Sequence, residues 1–354
     1  MKKIKIGNKK IGKRESCFII AEAGVNHNGD IKLAKKLIDV AKEAGVDAVK
    51  FQTFKAENVV SKNAGMAEYQ KKNIRKTETQ LEMIKKFELT YKDFRELKKY
   101  CDRKKIIFLS TPHSDDAIDF LESLVPTFKI GSGDLTNLPF LEKIAQKKKP
   151  IILSTGMSDL NEIEEALKTI RKISKKKISL LHCTTNYPCP IEEVNLRAMI
   201  TLKEKFEKKF APLEIGYSDH TEGITVSIAA VAMGAGILEK HFTLDKNLPG
   251  PDHRASLEPQ ELKEMVKAIR DAEKALGSAI KRPTVNEEKI KKIARKSIIA
   301  RIDIPRGTKI TKDMLVIKRP GNGIEPKYIN KVINKKTKKN IKRDELILWQ
   351  DITT

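Results

Sequence analysis

Eight short apolar runs between residues 17 and 277 are each followed at once by groups that could do chemistry. In chain order these are Glu22; Lys50 and Gln52; Ser110 and Thr111; Lys129 and Ser132; Ser154 and Thr155; Thr184 and Thr185; Ser218, Asp219 and His220; and His241. Two lysines with several hydroxyls are what a small molecule bearing phosphate and carboxylate requires, since cations and O–H donors satisfy anionic oxygens. Two histidines on neighbouring elements could hold one divalent metal and leave positions open for water and substrate. Taken singly, each residue has a plain explanation. Lys50 and Lys129 could be surface lysines in a lysine-rich chain, and His220 and His241 could be satisfied core histidines. Convergence on one place is what would give them a function.

The elements that must bring them together are legible in the hydrophobic pattern. Strands are predicted at 18–21, 48–51, 106–109, 128–130, 151–153, 179–182, 214–217 and 237–239. Segments with apolar residues at helical spacing alternate with them, such as Leu33, Leu37, Ile38 and Ala41, or Leu262, Met265, Val266 and Ile269. Thr90 and Ser158 read as N-caps, and Gly45 and Gly277 as helix stops. Eight strand–helix units in about 260 residues is the arithmetic of a TIM (β/α)8 barrel, whose active site forms at the C-terminal ends of the strands. A doubly wound open sheet would need fewer strands, and its GxGxxG fingerprint is missing. Residues 53–89, after the second strand, exceed an ordinary strand-to-helix loop and are expected to form a lid or substrate wall. The barrel is assigned to residues 1–280 and a polar, partly helical linker to 281–296. A small β-rich domain then occupies 297–354, where short alternation and a Pro320–Gly323 turn replace the helical pattern.

Lys and Arg total 71 against 47 Asp and Glu, a formal charge of +24 that first points to a polyanion such as nucleic acid or an anionic membrane. Most of these cations are interleaved with acids along predicted helix faces or stand at element ends, as in 147–149 and 175–177, where the helix dipole favours them. Aromatic content is 5%, without the basic–aromatic interleaving that stacks bases, so neither nucleic acid nor membrane is the expected partner. No run reaches the length of a membrane span, and the basic N-terminus lacks a signal-peptide core, so a cytoplasmic protein is expected. Four cysteines without CxxC spacing argue against a thiolate metal site or a disulfide framework.

Several segments together resemble the sialic acid synthase family: EAGVNHNG at 22–29, VKFQT at 49–53, STP at 110–112, KIGSGD at 129–134, LSTGM at 153–157, HCT at 182–184, YP at 187–188, SDHT at 218–221, EKHFT at 239–243, PGPDH at 249–253 and KRPGNG at 318–323. The resemblance implies a TIM barrel followed by an antifreeze-like (SAF, β-clip) domain. It also implies a homodimer in which each small domain covers its partner's barrel. The implied reaction condenses phosphoenolpyruvate with an N-acetylated amino sugar, giving a nine-carbon 2-keto acid and phosphate. By the same resemblance His220 and His241 would bind Mn2+, or Mg2+ or Co2+. Lys50, Gln52, Thr111, Lys129, Ser132, Ser154 and Ser218 would cradle phosphoenolpyruvate, and Tyr187 and Asp252 would meet the sugar. Glu22 would do the acid–base work, with Asp134 a second candidate, and Arg319 would reach into the partner's site. The run from Asp252 to Leu257 resembles synthases of N-acetylneuraminate and N,N'-diacetyllegionaminate more than those of pseudaminate. That leaves N-acetylmannosamine and 2,4-diacetamido-2,4,6-trideoxymannose both open, as are the roles of Asn73 and Arg75 in the long loop. A Schiff-base aldolase using Lys50 or Lys129 is the alternative enzyme.

Overall fold

The structure, a computed structural model, describes residues 4–12, 15–62, 64–65 and 79–353. The chain divides after Gly277 into two units. It begins with a hairpin that the sequence reading passed over as a basic tail: β1 (Ile4–Ile6) and β2 (Lys9–Ile11) pair antiparallel around Gly7-Asn8. The barrel strands follow as β3 (Phe18–Gly24), β4 (Ala48–Thr53), β5 (Ile107–Pro112), β6 (Phe128–Ile130), β7 (Ile151–Ser154), β8 (Ile178–His182), β9 (Leu213–Asp219) and β10 (Ile237–His241). All eight predicted strands are present. They are hydrogen-bonded in parallel in the order β5-β4-β3-β10-β9-β8-β7-β6, and β5 packs beside β6 where the ladder ends meet. The first and last barrel strands are therefore neighbours, as a closed (β/α)8 barrel demands.

Alternation along each strand sorts side chains between two cores. Residues such as Ile19, Val49, Phe108, Leu153 and Leu238 pack outward in the large core with the helices. Phe18, Ile20, Ala48, Leu109, Ile152, Leu181 and Ile237 fill the barrel's interior, and Ile6 and Ile11 of the hairpin close that cluster from below. One step of two residues further along each strand, the interior positions turn polar: Ile20 gives way to Glu22, Ala48 to Lys50, Leu109 to Thr111, Ile152 to Ser154 and Ile237 to Glu239. The apolar layers thus form a floor, and the chemistry begins on top of it.

Local signals fix the surrounding helices. Thr90 caps helix Tyr91–Lys104 in a reciprocal box with Asp93, and Gly45 ends helix Ile31–Ala44 in the left-handed region at φ 81°. At helix Leu160–Ile173 the cap is Asp159, one residue beyond the expected Ser158, because its carboxylate takes the amides of both Asn161 and Glu162. The long insertion includes helices Ala56–Val59 and Gln80–Lys85; Asn73 and Arg75 lie outside the described residues.

The second unit, Ser278–Thr354, has its own core of Ile298, Ala300, Ile304, Ile310, Leu315, Ile324, Val332, Ile341, Ile347 and Ile352. Strands β11 (Ser297–Ala300) and β12 (Leu315–Lys318) pair antiparallel within it. Helix Val285–Ala294 buries none of its residues and exposes Val285, Ile290 and Ile293 at 80%, 58% and 70%. Among the described residues no helix is long and apolar enough to cross a membrane.

Candidate active site

Four charged side chains stand on the apolar floor, all buried: Glu22 on β3, Lys50 on β4, Lys129 on β6 and Glu239 on β10. Lys50 Nζ lies 2.8 Å from Glu22 Oε2 and 3.7 Å from Glu239 Oε1, and Lys129 Nζ lies 3.5 Å from the same Glu239 oxygen. Glu239 therefore sits between the two ammonium groups. Burial opposes its charge, but Lys129 and Lys50 outweigh that and hold its carboxyl below the usual range. Burial likewise opposes the Lys50 charge and is overcome by Glu22 and Glu239, whereas at Lys129 burial prevails and lowers its pKa. Burial lifts Glu22 to about 7 against the pull of Lys50, which places a carboxyl able to give or take a proton beside the lysines.

A ring of hydroxyls completes the cradle. Lys50 donates to Thr111 Oγ1 at 3.0 Å and Lys129 to Ser154 Oγ at 2.7 Å. Ser132 Oγ accepts from the Gly156 amide at 3.0 Å and lies 3.1 Å from Cys183 Sγ. Thr185 Oγ1 is buried with no hydrogen-bond partner. A β-carbon on Gly156 would fall 2.2 Å from that oxygen and 2.8 Å from Ser132 Oγ, so any larger residue there would force both hydroxyls to turn away. Gly156→Ala is expected to raise the KM for an anion bound here at least tenfold, with the second substrate's KM unmoved, in initial-rate kinetics.

On the other side of Glu239 stand the two histidines. Ser218 Oγ donates to Glu239 Oε1 at 3.2 Å, and His220 and His241 follow with ring centroids 5.5 Å apart. His220 Nδ1 is 2.6 Å from the Thr184 carbonyl, which makes that nitrogen the donor and turns Nε2 inward as an acceptor. Tyr187 packs on His220 at 4.1 Å and edge-on to His241 at 5.6 Å. Burial pushes His220 down to about 4 and His241 well below its usual value, so both rings are neutral at pH 7. His241 Nδ1 is buried and has no hydrogen-bond partner; Asp252 Oδ2, the nearest carboxylate to it, is 3.9 Å away. Two neutral imidazoles, an orphaned ring nitrogen and a carboxylate suit a divalent cation. Among the described residues no set of three His, Cys, Asp or Glu closes around one point, so a cation held here would keep positions open. The loops that present this face are bolted together: Asn26 Nδ2 donates to Phe242 O and Ser256 Oγ, and Asn28 Oδ1 accepts from His253 Nε2.

Residues 37–281 match the model of the NeuB family, and residues 295–353 match the SAF domain. The chain belongs to the NeuB family. The N,N'-diacetyllegionaminic acid synthase of Legionella pneumophila is 48% identical over 98% of this chain and 97% of its own length. The protein of that name from Campylobacter jejuni is 52% identical over 93% and 98%. The crystal structure of N-acetylneuraminic acid (sialic acid) synthetase from Leptospira borgpetersenii, in complex with citrate, superposes with TM-score 0.72 at 37% identity, over 82% of this chain and 95% of that one.

Of the residues expected to act, this NeuB-family barrel brings Glu22, Lys50, Gln52, Thr111, Lys129, Ser132, Ser154, Tyr187, Ser218, His220, His241 and Asp252 to one mouth. Gln52 joins by donating to Glu22 Oε1 at 3.2 Å. Asp134 stands at the rim instead, 3.8 Å from His113 Nδ1, with no bond to the lysine cradle. Arg319 belongs to the second unit, where its Nε donates to Ala294 O at 3.0 Å. Glu239 and His113 were missed. The signal for Glu239 was present, since in a strand it shares a face with His241 two residues on. His113 lines a cavity together with Gln52, Tyr187, His241 and Asp252 and with the apolar Val25, Phe54, Val59, Met83, Ile84 and Phe87. The insertion supplies much of that apolar wall.

Proposed function

We propose that this NeuB-family protein is a cytoplasmic synthase that joins phosphoenolpyruvate to 2,4-diacetamido-2,4,6-trideoxymannose, giving N,N'-diacetyllegionaminate and phosphate. The observation that carries this reading is the buried Lys50–Lys129 cradle set beside a neutral imidazole pair that opens onto an apolar-walled cavity. The high identity to two N,N'-diacetyllegionaminic acid synthases supports the choice of sugar. So does the wall itself: a 6-deoxy methyl and a second acetamido methyl bury favourably against Phe54, Met83 and Phe87, where the O6 hydroxyl of N-acetylmannosamine would lose its water.

Lys50, Lys129, Ser132, Ser154 and Thr111 surround the phosphate and carboxylate of phosphoenolpyruvate, with Ser218 and Gln52 at its edge. The four charges of the cradle sum to zero when all are ionised. A trianion entering it therefore favours the protonated form of Glu22, which leaves the cradle positive and the acid loaded. C3 of the enol then attacks the sugar aldehyde carbon, and the aldehyde oxygen takes a proton. Water adds to C2 and gives up one proton; the bond from C2 to the phosphate-bridging oxygen then breaks, phosphate leaves with the electron pair, and the remaining C2 hydroxyl passes its proton to that phosphate as the ketone forms. Glu22 is the group placed to move these protons, while Tyr187 and Asp252 orient the sugar. His220 and His241 would hold Mn2+, with Mg2+ or Co2+ as substitutes; once bound, such an ion supplies Lewis-acid polarisation of a carbonyl oxygen. Lys50 and Lys129 both face buried carboxylates, and borohydride with pyruvate is expected to leave them unmodified, unlike a Schiff-base aldolase. Phosphate release and product mass across a sugar panel test the reading. Turnover with N-acetylmannosamine at least as fast as with the diacetamido sugar would overturn the choice of sugar, and no phosphate release with either would overturn the synthase.

The working unit is a homodimer in which Arg319 of each small domain completes the partner's site. The exposed Val285, Ile290 and Ile293 on one helix of the second unit favour burial against a second copy. Arg319→Ala is expected to raise the sugar KM at least tenfold. At sugar concentrations well below the wild-type KM, where each variant alone runs at about a tenth of the wild-type rate or less, mixing Arg319→Ala and Lys129→Met dimers is then expected to regain ~25% of wild-type activity, since half the dimers would carry one intact site. If Arg319 served its own barrel, mixing would restore nothing.

A further inference from the structure

Behind the two histidines, on the outer face of the same two strands, lies an ion pair that no catalytic step uses. Lys240 and Asp219 are opposite one another in the β9–β10 ladder, and their charged atoms are 3.0 Å apart with both side chains 0% exposed. Each immediately precedes a histidine, Asp219 before His220 and Lys240 before His241. Alternation points the pair away from the mouth, towards the helices, and the histidines into it.

The pair also grips the residue on the far side of His220. Asp219 Oδ1 accepts from the Thr221 amide at 2.9 Å and from the Thr221 hydroxyl at 2.8 Å, and Oδ2 accepts from Ser227 Oγ at 2.6 Å. Lys240 Nζ donates to the Thr221 carbonyl. The backbone on both sides of His220 is therefore fastened to the residue that precedes His241. On the inner face, one rung earlier, Ser218 and Glu239 are joined as well. A buried ion pair is weak evidence for stability, because removing two charges from water offsets most of their attraction, and a well-packed neutral pair often does as well. What such a pair does supply is a fixed distance between two strands.

We propose that Asp219, Lys240 and Thr221 form a clamp that sets the separation and orientation of His220 and His241 for a divalent cation. These are positioning residues, and the proposal rests on the reading of the histidines as metal ligands. Outer-sphere groups that orient ligands commonly change metal affinity 10- to 100-fold when removed.

The test uses full-length protein without substrates. Mn2+ affinity is read by electron paramagnetic resonance of the free ion, and phosphoenolpyruvate affinity by calorimetry. Two variants are compared, Lys240→Met and the neutral double variant Asp219→Asn/Lys240→Met, which leaves no buried charge unpaired. The expected result is a Mn2+ Kd raised about 10- to 100-fold with the phosphoenolpyruvate Kd within twofold of wild type. A folded variant with an unchanged Mn2+ Kd overturns the clamp, as does parallel weakening of both ligands, which would mark a general loss of packing. Failure of both variants to fold assigns the pair to stability and overturns it too. Wild-type protein that binds phosphoenolpyruvate but no Mn2+ overturns the metal reading itself, and the clamp with it.

Discussion

Lys129→Met is expected to lower kcat/KM for phosphoenolpyruvate by roughly three to four orders of magnitude, while the sugar KM moves less than about threefold. Lys129 is buried and stands 2.7 Å from Ser154 Oγ and 3.5 Å from Glu239 Oε1. Methionine fills nearly the same volume, so the loss is one of charge rather than packing. Two costs combine. A charge-assisted hydrogen bond to an anionic substrate is worth about 1.5–3 kcal/mol. Stripping one partner from a buried ion pair costs about 3–5 kcal/mol, because the remaining carboxylate is left short of counter-charge. Glu239 still has Lys50, at 3.7 Å, so the lower part of that range applies. Adding Glu239→Gln should then recover part of the loss, since the orphaned carboxylate disappears with its partner. Initial rates of phosphate release over a phosphoenolpyruvate series measure both. A Lys129→Met enzyme altered only in its sugar KM would remove Lys129 from the cradle.

The strand ends were readable because a barrel imposes period-two alternation on strands buried on both faces. The step from Ile20 to Glu22, or from Ile152 to Ser154, carries its position in its spacing. Glu239 obeys the same rule, but a Glu beside a Lys does not by itself mark a buried site, and the burial of Lys240 against Asp219 is a tertiary fact. The β1–β2 hairpin was hidden for another reason. Its strands are three residues each and lysine-rich, and Ile6 and Ile11 acquire meaning only once an open barrel interior lies above them. Loop residues were the least legible. Asp134 and His113 both follow barrel strands, yet only His113 reaches the cavity, and nothing in either segment's pattern says which way a loop turns. Neither the apolar side of that cavity nor the partnerless hydroxyl of Thr185 could be assigned before the chain was folded.

His241→Leu is expected to abolish phosphate release, by a factor of about 1,000 or more, and yet to raise the melting temperature of the metal-free protein. The ring is buried, its Nδ1 has no hydrogen-bond partner, and its neighbours Tyr187 and His220 are packed against it. An unsatisfied buried polar atom costs about 1–3 kcal/mol, which an apolar side chain of similar size would not incur. In a unit of this length, 1 kcal/mol corresponds to a shift of roughly 2–4 °C. A structural histidine predicts the reverse, a lower melting temperature of the kind that follows lost packing or lost hydrogen bonds. Chelation of the wild type by EDTA should match the variant in activity and be reversed by added Mn2+, which should do nothing for His241→Leu. Phosphoenolpyruvate affinity should survive in both cases, because the contacts of Lys50, Lys129, Thr111 and Ser154 do not pass through the imidazoles. Full activity in EDTA would remove the metal from the reaction. A destabilised His241→Leu would place His241 in the core's service rather than the substrate's. Stability and activity are expected to move in opposite directions here because an imidazole held neutral and unpartnered is costly to fold around, and that same state is the one a cation can bind.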